Sequence, residues 1–406
     1  MNETIARPNW YDALNEIANH LGGAEVISDL SPESLAKAGG GEFIGEAPFE
    51  ALIRSLREEA DLSGVGAILA RTEIIRAIRA RLALSKASSK HFFSQYEVIK
   101  PSKLKPLFII GGARSGTSAL LRHLVGWPDV RAPFTVEILC PETIGSDQIG
   151  TELVQSVTLQ DRVWDLLEPS FTSQHLNRGD LPSECLPILN CGFQSHHWTG
   201  CYRVPSYSNY LAGSKFESSL SFHQVFASCL AVSAKGQLLV FKSPAYALIV
   251  SLILKAYPGA RFVFIHRDPV KVASSHARLL ATLRRMRSRN VNSFQSDVSD
   301  AIEHVEETYI SLCRAIDSGK LHHSNLKVFS YEQLLTNVAK LSSELRSWLQ
   351  LPKLPKSGGC DISQNSLERL EPVRKLPRVH IDSEAQIKLR QCSKEFMELY
   401  WGSEGI

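Results

Sequence analysis

The run Leu-Phe-Ile-Ile-Gly-Gly-Ala-Arg-Ser-Gly-Thr-Ser-Ala-Leu-Leu at residues 107–121 constrains the fold of this chain more than any other segment. An apolar, branched stretch reads as a buried strand. Two glycines end it, and Arg114-Ser115-Gly116-Thr117-Ser118 then opens a leucine-rich helical pattern. A strand that feeds a Gly-rich turn and a helix N-terminus points successive backbone N–H groups at one spot, and such a spot suits a phosphate or a sulfate.

The same stretch nearly meets the spacing of the nucleotide P-loop, with Gly111 and Gly116 at its glycines and Ser118 at its hydroxyl position. Thr117 stands where the P-loop lysine belongs. The lysine must therefore come from elsewhere, or the chemistry must do without it.

Further along, short apolar runs alternate with helical patterns. Strands are expected at residues 107–110, 238–241, 261–265 and 327–330, each followed by a helix, at 118–125, 247–256, 270–289 and through 349. This is the signature of an α/β fold: a P-loop-like parallel sheet flanked by helices and linked by right-handed crossovers. Residues from about 10 to 95 carry helical spacing, and Lys100-Pro-Ser-Lys-Leu-Lys-Pro106 marks a boundary that no regular element crosses. The expected organisation is a helical N-terminal segment (1–100), an α/β domain (101–355) with a helical insertion (151–234), and a C-terminal extension (356–406).

Charge and cysteine usage exclude several classes. With 45 Lys and Arg against 42 Asp and Glu, the net charge of +3 argues against broad nucleic-acid binding. The 8 cysteines contain no Cys-x-x-Cys pair, so neither a zinc ribbon nor a disulfide framework is indicated. The N-terminus lacks a signal-peptide pattern. The longest apolar run, residues 247–254, is too short for a membrane span. A cytoplasmic protein that does not span a membrane is the expectation.

Two more constellations belong with the loop. Arg261-Phe-Val-Phe-Ile-His-Arg267-Asp-Pro269 ends a strand at Arg267 and starts a helix at Pro269, with Ser275 two turns on. Ligands of open α/β sheets sit beyond the carboxyl ends of strands, so Arg267 should face the crevice that the loop faces. Phe241-Lys242-Ser243-Pro244 puts a lysine at another strand end, where it could stabilise charge on a transferring group or leaving oxygen.

These three constellations together resemble the 3′-phosphoadenosine 5′-phosphosulfate (PAPS)-dependent sulfotransferases, and most nearly the bacterial branch often labelled sulfotransferase family 3. The resemblance implies that Arg114, Ser115, Gly116, Thr117 and Ser118 hold the 5′-phosphosulfate, and that Arg267 and Ser275 hold the 3′-phosphate. Segments 61–66, 127–141, 181–185 and 331–334 are similar to other stretches of the family. Two departures stand out: Ala113 replaces the usual loop proline, and Tyr246 stands where the branch often has the histidine of Lys-Ser-Pro-x-His. Tyrosine is a poor base near neutrality.

The implied reaction moves a sulfuryl group from PAPS by in-line displacement, where positioning and charge stabilisation dominate. No metal is demanded. Arg114, Lys242 and the loop N–H groups would carry charge developing on the leaving phosphate. Glu137 is the first choice for the base that takes the acceptor's proton, with Glu184 and Glu142 in reserve. It sits among Phe134, Val136, Ile138 and Leu139, where burial would raise a carboxyl pKa.

His196-His197 is a weaker candidate for a base or metal site, His322-His323 reads as a surface turn, and residues 284–289 read as a solvated basic helix end. The aromatic middle (Trp164, Phe171, Phe193, Trp198, Tyr202, Tyr207, Tyr210, Phe216) is divided between core and acceptor pocket. The acceptor class is a small alcohol, phenol, amine or lipid-like metabolite, with pairing into a homodimer left open. The alternatives are a P-loop kinase and a non-catalytic nucleotide-binding protein of the same fold.

Overall fold

The computed structural model describes residues 29–39, 45–88, 100–112, 115–146, 149–168, 178–290, 294–353 and 379–402. Its centre is a parallel sheet of β1 (Leu107–Gly111), β2 (Val130–Arg131), β3 (Leu238–Lys242), β4 (Arg261–His266) and β5 (Leu326–Ser330), in the order β2-β3-β1-β4-β5. Four strands lie where the apolar runs predict them. The two-residue β2 was missed, because a strand so short carries no alternation to read.

β1 is the central strand, with all five of its residues buried. Because successive side chains point to opposite faces, Phe108 and Ile110 enter one core while Leu107 and Ile109 enter the other. On the first face the Phe108 ring packs against Phe241, Tyr246, Tyr257 and Phe262. Helix α4 (Thr117–Val125) packs on the second. It follows α1 (Pro32–Gly39), α2 (Ala47–Glu58) and α3 (Gly64–Ser88), which join the first core. Connections leave β1 toward β2 and β3 on one side, and β4 and β5 lie on the other. A crevice therefore opens at the carboxyl ends of β1 and β4.

Within 151–234 the described residues form α6 (Thr151–Leu167), α7 (Leu186–Asn190), α8 (His196–Cys201), α9 (Pro205–Ala212) and α10 (Glu217–Ser233), preceded by the short α5 (Thr135–Leu139). Helix α11 (Val250–Ala256) follows β3, and α12 (Pro269–Arg285) follows β4. The region 247–256, expected as one helix, divides into a 3-10 turn at Pro244–Ile249 and α11.

The segment at 61–66 docks the N-terminal helices onto the end of α12. Ser63 N–H donates to the Arg287 carbonyl (2.9 Å) and Arg289 N–H to the Asp61 carbonyl (2.7 Å). A Cβ on Gly66 would lie 1.8 Å from the Arg287 carbonyl oxygen, so this approach requires glycine. Beyond α13 (Phe294–Asp317), α14 (Tyr331–Thr336) and α15 (Val338–Leu349), the last described helix, α16 (Ser383–Trp401), returns to the first core. There Phe396 meets Phe264 and Tyr309, and the Tyr400 hydroxyl donates to the Leu326 carbonyl (3.2 Å).

Candidate functional site

The strand-to-helix junction after β1 is built by backbone geometry. Gly116 caps α4 in the left-handed region (φ 96°), and a Cβ there would lie 2.9 Å from the Tyr331 ring. The first N–H groups of α4 have no intrahelical partner and face outward from the helix end. Ser115 N–H closes the turn onto the Gly112 carbonyl (3.1 Å). The Ser115 side chain is buried, yet its Oγ has no hydrogen-bond partner among the described residues. An orphaned hydroxyl beside unsatisfied N–H groups fits an anionic ligand at this position. Arg114 and Ala113 lie outside the described residues.

The neighbouring strand ends converge on the same edge. Ile109 pairs with Lys242 on β3, and Gly111 with Ile265 on β4, so Lys242 and Arg267 flank the junction from either side. The Arg267 guanidinium lies over the Tyr331 ring, 4.2 Å from its centroid. Asp268 caps α12 by accepting from Val270 N–H (2.9 Å), and half-buried Ser275 lies on that helix.

Lys242 is buried, and its Nζ reaches Glu184 (2.8 Å). Ser243 Oγ donates to the other Glu184 oxygen (3.2 Å), and Cys185 N–H donates to the Lys242 carbonyl (2.8 Å). The 181–185 segment is thus latched to the end of β3. Glu137, the expected base, has both carboxylate oxygens engaged elsewhere. One takes the Arg131 guanidinium, and the other accepts from the N–H of Phe134 (2.8 Å), the N-cap residue of α5. Its neighbours Thr135, Ile138 and Leu139 border the adjoining cavity, and Glu137 does not. The pattern Glu137 shares with a base, a carboxylate among apolar residues, is also that of a buried helix cap.

The cavity, of about 880 Å³, lies between the helical insertion, α3, α12 and α13. Its apolar wall includes Ile138, Leu186, Leu248, Ile249, Leu252 and Leu280. Of the aromatic middle, Trp164, Tyr202 and Phe216 reach it, while Phe193, Trp198 and Tyr207 are packed in the core. Phe171 lies outside the described residues. Glu184 borders the cavity, so one carboxylate touches both Lys242 and the space beside it.

The polar wall holds four histidines. His276 and His304 pack edge to face (4.6 Å), and His276 Nδ1 and His304 Nε2 are buried without hydrogen-bond partners among the described residues. Burial pushes His304 down to about 4, His196 down to about 3, and His276 well below the usual imidazole range. His197 does the opposite. Burial opposes its charge, but the Cys201 sulfur and the Glu73 carboxylate outweigh burial and push it up to about 10.

The basic stretch at 284–289 is not solvated as expected. Arg284, Arg285 and Arg287 are buried because each meets a carboxylate: Asp297 and Asp300 for Arg284, Glu168 for Arg285, Glu73 for Arg287. The helix end turns inward, and nothing in a run of arginines tells the sequence reader that distant acids will neutralise them. Tyr246, at the position of the absent histidine, is fully buried. Its hydroxyl meets His223 (2.8 Å), whose other ring nitrogen meets the Tyr257 hydroxyl (2.7 Å).

The fold and the junction define an α/β protein with a glycine-capped strand-to-helix turn at the switch point of a parallel sheet. Residues 106–355, more than half of the chain, match the profile of the family described as "Sulfotransferase family". The chain belongs to the sulfotransferase family. It is 25% identical over 225 residues to the omega-hydroxy-beta-dihydromenaquinone-9 sulfotransferase Stf3 of Mycobacterium bovis and of Mycobacterium tuberculosis. These alignments span 53% of this chain and 54% of each relative, about half the length of the curated proteins. Among solved structures, sulfotransferase STF9 from Mycobacterium avium superposes with a TM-score of 0.70 at 16% identity, covering 91% of this chain and 94% of that one. STF1 from Mycobacterium tuberculosis H37Rv gives 0.64 at 18%, covering 95% and 97%. Family membership sets the kinase alternative aside. Among the described residues, no helix is long and apolar enough to cross a membrane.

Proposed function

We propose that this chain transfers the sulfuryl group of PAPS to a hydroxyl of a bulky, apolar acceptor in the cytoplasm, without a metal. The observation that carries this reading is the Lys242–Glu184 pair, which joins the carboxyl edge of the sheet to the apolar cavity. PAPS, when bound, supplies the sulfuryl group and a phosphate leaving group. The N–H groups after Gly116, with Ser115, Thr117, Ser118 and Arg114, would hold its 5′ end, and Arg267 and Ser275 its 3′-phosphate. Lys242 would bear charge developing on the bridging oxygen.

Glu184 is our base. It borders the cavity, and withdrawal of Lys242 toward the leaving group would release one of its oxygens for the acceptor's proton. Glu137 we read as the residue that fixes the start of α5. The unpartnered nitrogens of His276 and His304 offer polar contacts to an acceptor in the cavity. The apolar wall supports a lipid-like acceptor. The relatives named for a dihydromenaquinone substrate point the same way.

The test is incubation with labelled PAPS and a pool of hydrophobic alcohols, phenols and amines, read as a mass gain of one sulfuryl group. Glu184→Gln should slow transfer about a hundredfold and spare nucleotide binding, whereas Glu137→Gln should act mainly on stability. The opposite result would return the base to Glu137. Tyr246 favours a second reading, a non-catalytic nucleotide-binding protein, because its hydroxyl is consumed by His223 in the core. Tight binding of adenosine 3′,5′-bisphosphate without transfer to any acceptor would establish that reading, and preference for ATP would remove both.

A further inference from the structure

The wall of the cavity away from Lys242 carries a chain of polar groups that sulfuryl transfer does not use. Cys201 Sγ lies 4.0 Å from His197 Nδ1, and His197 Nε2 lies 3.3 Å from a Glu73 oxygen. The same Glu73 oxygen accepts from the Tyr202 hydroxyl (2.8 Å), and its other oxygen takes the Arg287 guanidinium (2.7 Å). Arg287 is in turn seated over the Trp164 and Tyr202 rings, at 4.5 and 5.3 Å. Glu73, His197, Cys201, Trp164 and Tyr202 all border the cavity.

We infer that Cys201 is a nucleophilic thiol and a covalent modification site within the cavity, placed to add to apolar α,β-unsaturated carbonyl compounds. A thiol, an imidazole and a carboxylate in sequence form the arrangement that activates a sulfur nucleophile, with the third group orienting the second. Helix α8 makes the first contact possible, because His197 and Cys201 are four residues apart and share one face. The orientation is held from outside: Glu73 comes from α3 and Arg287 from the end of α12.

The reaction balances without an oxidant or reductant. The S–H bond breaks and an S–C bond forms at the β carbon. The alkene π pair moves to the carbonyl as an enolate, the S–H proton passes to solvent, and a proton from solvent adds to the α carbon. Charge on the His197 ring favours the step as the sulfur becomes anionic.

The other described cysteines lack this setting. Burial pushes Cys185 and Cys191 up to about 12 and Cys229 up to about 11. Cys140, Cys313 and Cys392 are partly exposed, and burial raises their thiols too.

Glu73, His197 and Cys201 also lie close enough together to ligate a cation. The geometry disfavours it: one imidazole turns its two nitrogens to different partners, and the guanidinium of Arg287 already holds the carboxylate. A cation would stand against a buried positive charge.

The experiment is labelling of the intact native chain with N-ethylmaleimide, a small apolar probe of this class, at pH 7, followed by peptide mass mapping over time. Cys201 should react about tenfold or more faster than Cys140, Cys313 and Cys392. His197→Gln should slow Cys201 about tenfold and leave Cys140 unchanged, which shows that the variant is folded. Wild-type labelling of Cys201 no faster than Cys140, or only in denaturant, overturns the inference whatever the variant does. So does one equivalent of zinc in the isolated protein whose removal by chelator is needed before Cys201 reacts.

Discussion

The proposed donor cradle and the cavity proposed for the acceptor are made of different material. The cradle between β1 and α4 uses backbone N–H groups, one glycine in the left-handed region and one buried hydroxyl, all within a single stretch of the chain. The acceptor cavity uses side chains from α3, the helical insertion, α12 and α13, with four histidines and several buried ion pairs among them. The first can be altered little without losing its geometry. The second can change its polar lining one residue at a time.

The sharpest way to break this comparison is at Lys242, which belongs to both sides. Lys242→Met should lower turnover about a thousandfold on whichever acceptor the pool returns, with nucleotide affinity changed far less. Turnover within tenfold of wild type would mean that the lysine only anchors Glu184.

Acid separates the two sides next. His223 is buried among Tyr246, Tyr257 and Phe241, and burial pushes it down to about 3. Its unfolded form takes a proton near pH 6.5. The unfolded state therefore binds more protons below that value, and stability falls as pH drops from about 6.5 toward 3. The loss from His223 should be roughly 1–2 kcal/mol at pH 5, and His196, His276 and His304 act in the same direction.

His197 has the opposite sign. Its folded value is raised, so its contribution is complete below about pH 6.5 and disappears as pH rises through about 10. Urea midpoints at pH 5, 7 and 9.5 test both. His223→Gln should flatten the acid limb and His197→Gln the alkaline limb. Unchanged limbs would show that these rings do not carry the dependence.

The difference in material also explains what could be read from the sequence. The strands at 107–111, 238–242, 261–266 and 326–330 announced themselves because parallel, fully buried strands are continuous apolar runs. The cradle is local, so its residues stand together in the chain. The acceptor side is not local. Glu73, His197 and Arg287 are separated by more than a hundred and by ninety positions, and no spacing rule links them. Glu137 shows the converse difficulty: a capping glutamate three residues into a helix has the same sequence surroundings as a buried base. The arginines at 284–287 looked solvated because charge alone is visible in sequence, and their carboxylate partners are not.

On the donor side, Gly116→Ala sharpens the claim that the cradle is backbone. A Cβ at φ 96° costs about 1–2 kcal/mol and meets the Tyr331 ring at 2.9 Å. Affinity for adenosine 3′,5′-bisphosphate should fall about tenfold by calorimetry. An unchanged affinity would remove Gly116 from the cradle.

The smallest effect is the most diagnostic, because stability and affinity should move apart. Ser115 carries a buried hydroxyl with no partner among the described residues, so the free protein bears its desolvation uncompensated. Ser115→Ala deletes that group. The thermal midpoint of the free protein should hold or rise slightly. Binding of adenosine 3′,5′-bisphosphate should weaken by the worth of one hydrogen bond to a charged group, about 1.5–3 kcal/mol at most. A hydroxyl kept only for folding would lower the midpoint and leave binding alone. A fall in both would mean that the Ser115 hydroxyl supports the turn as well as the ligand.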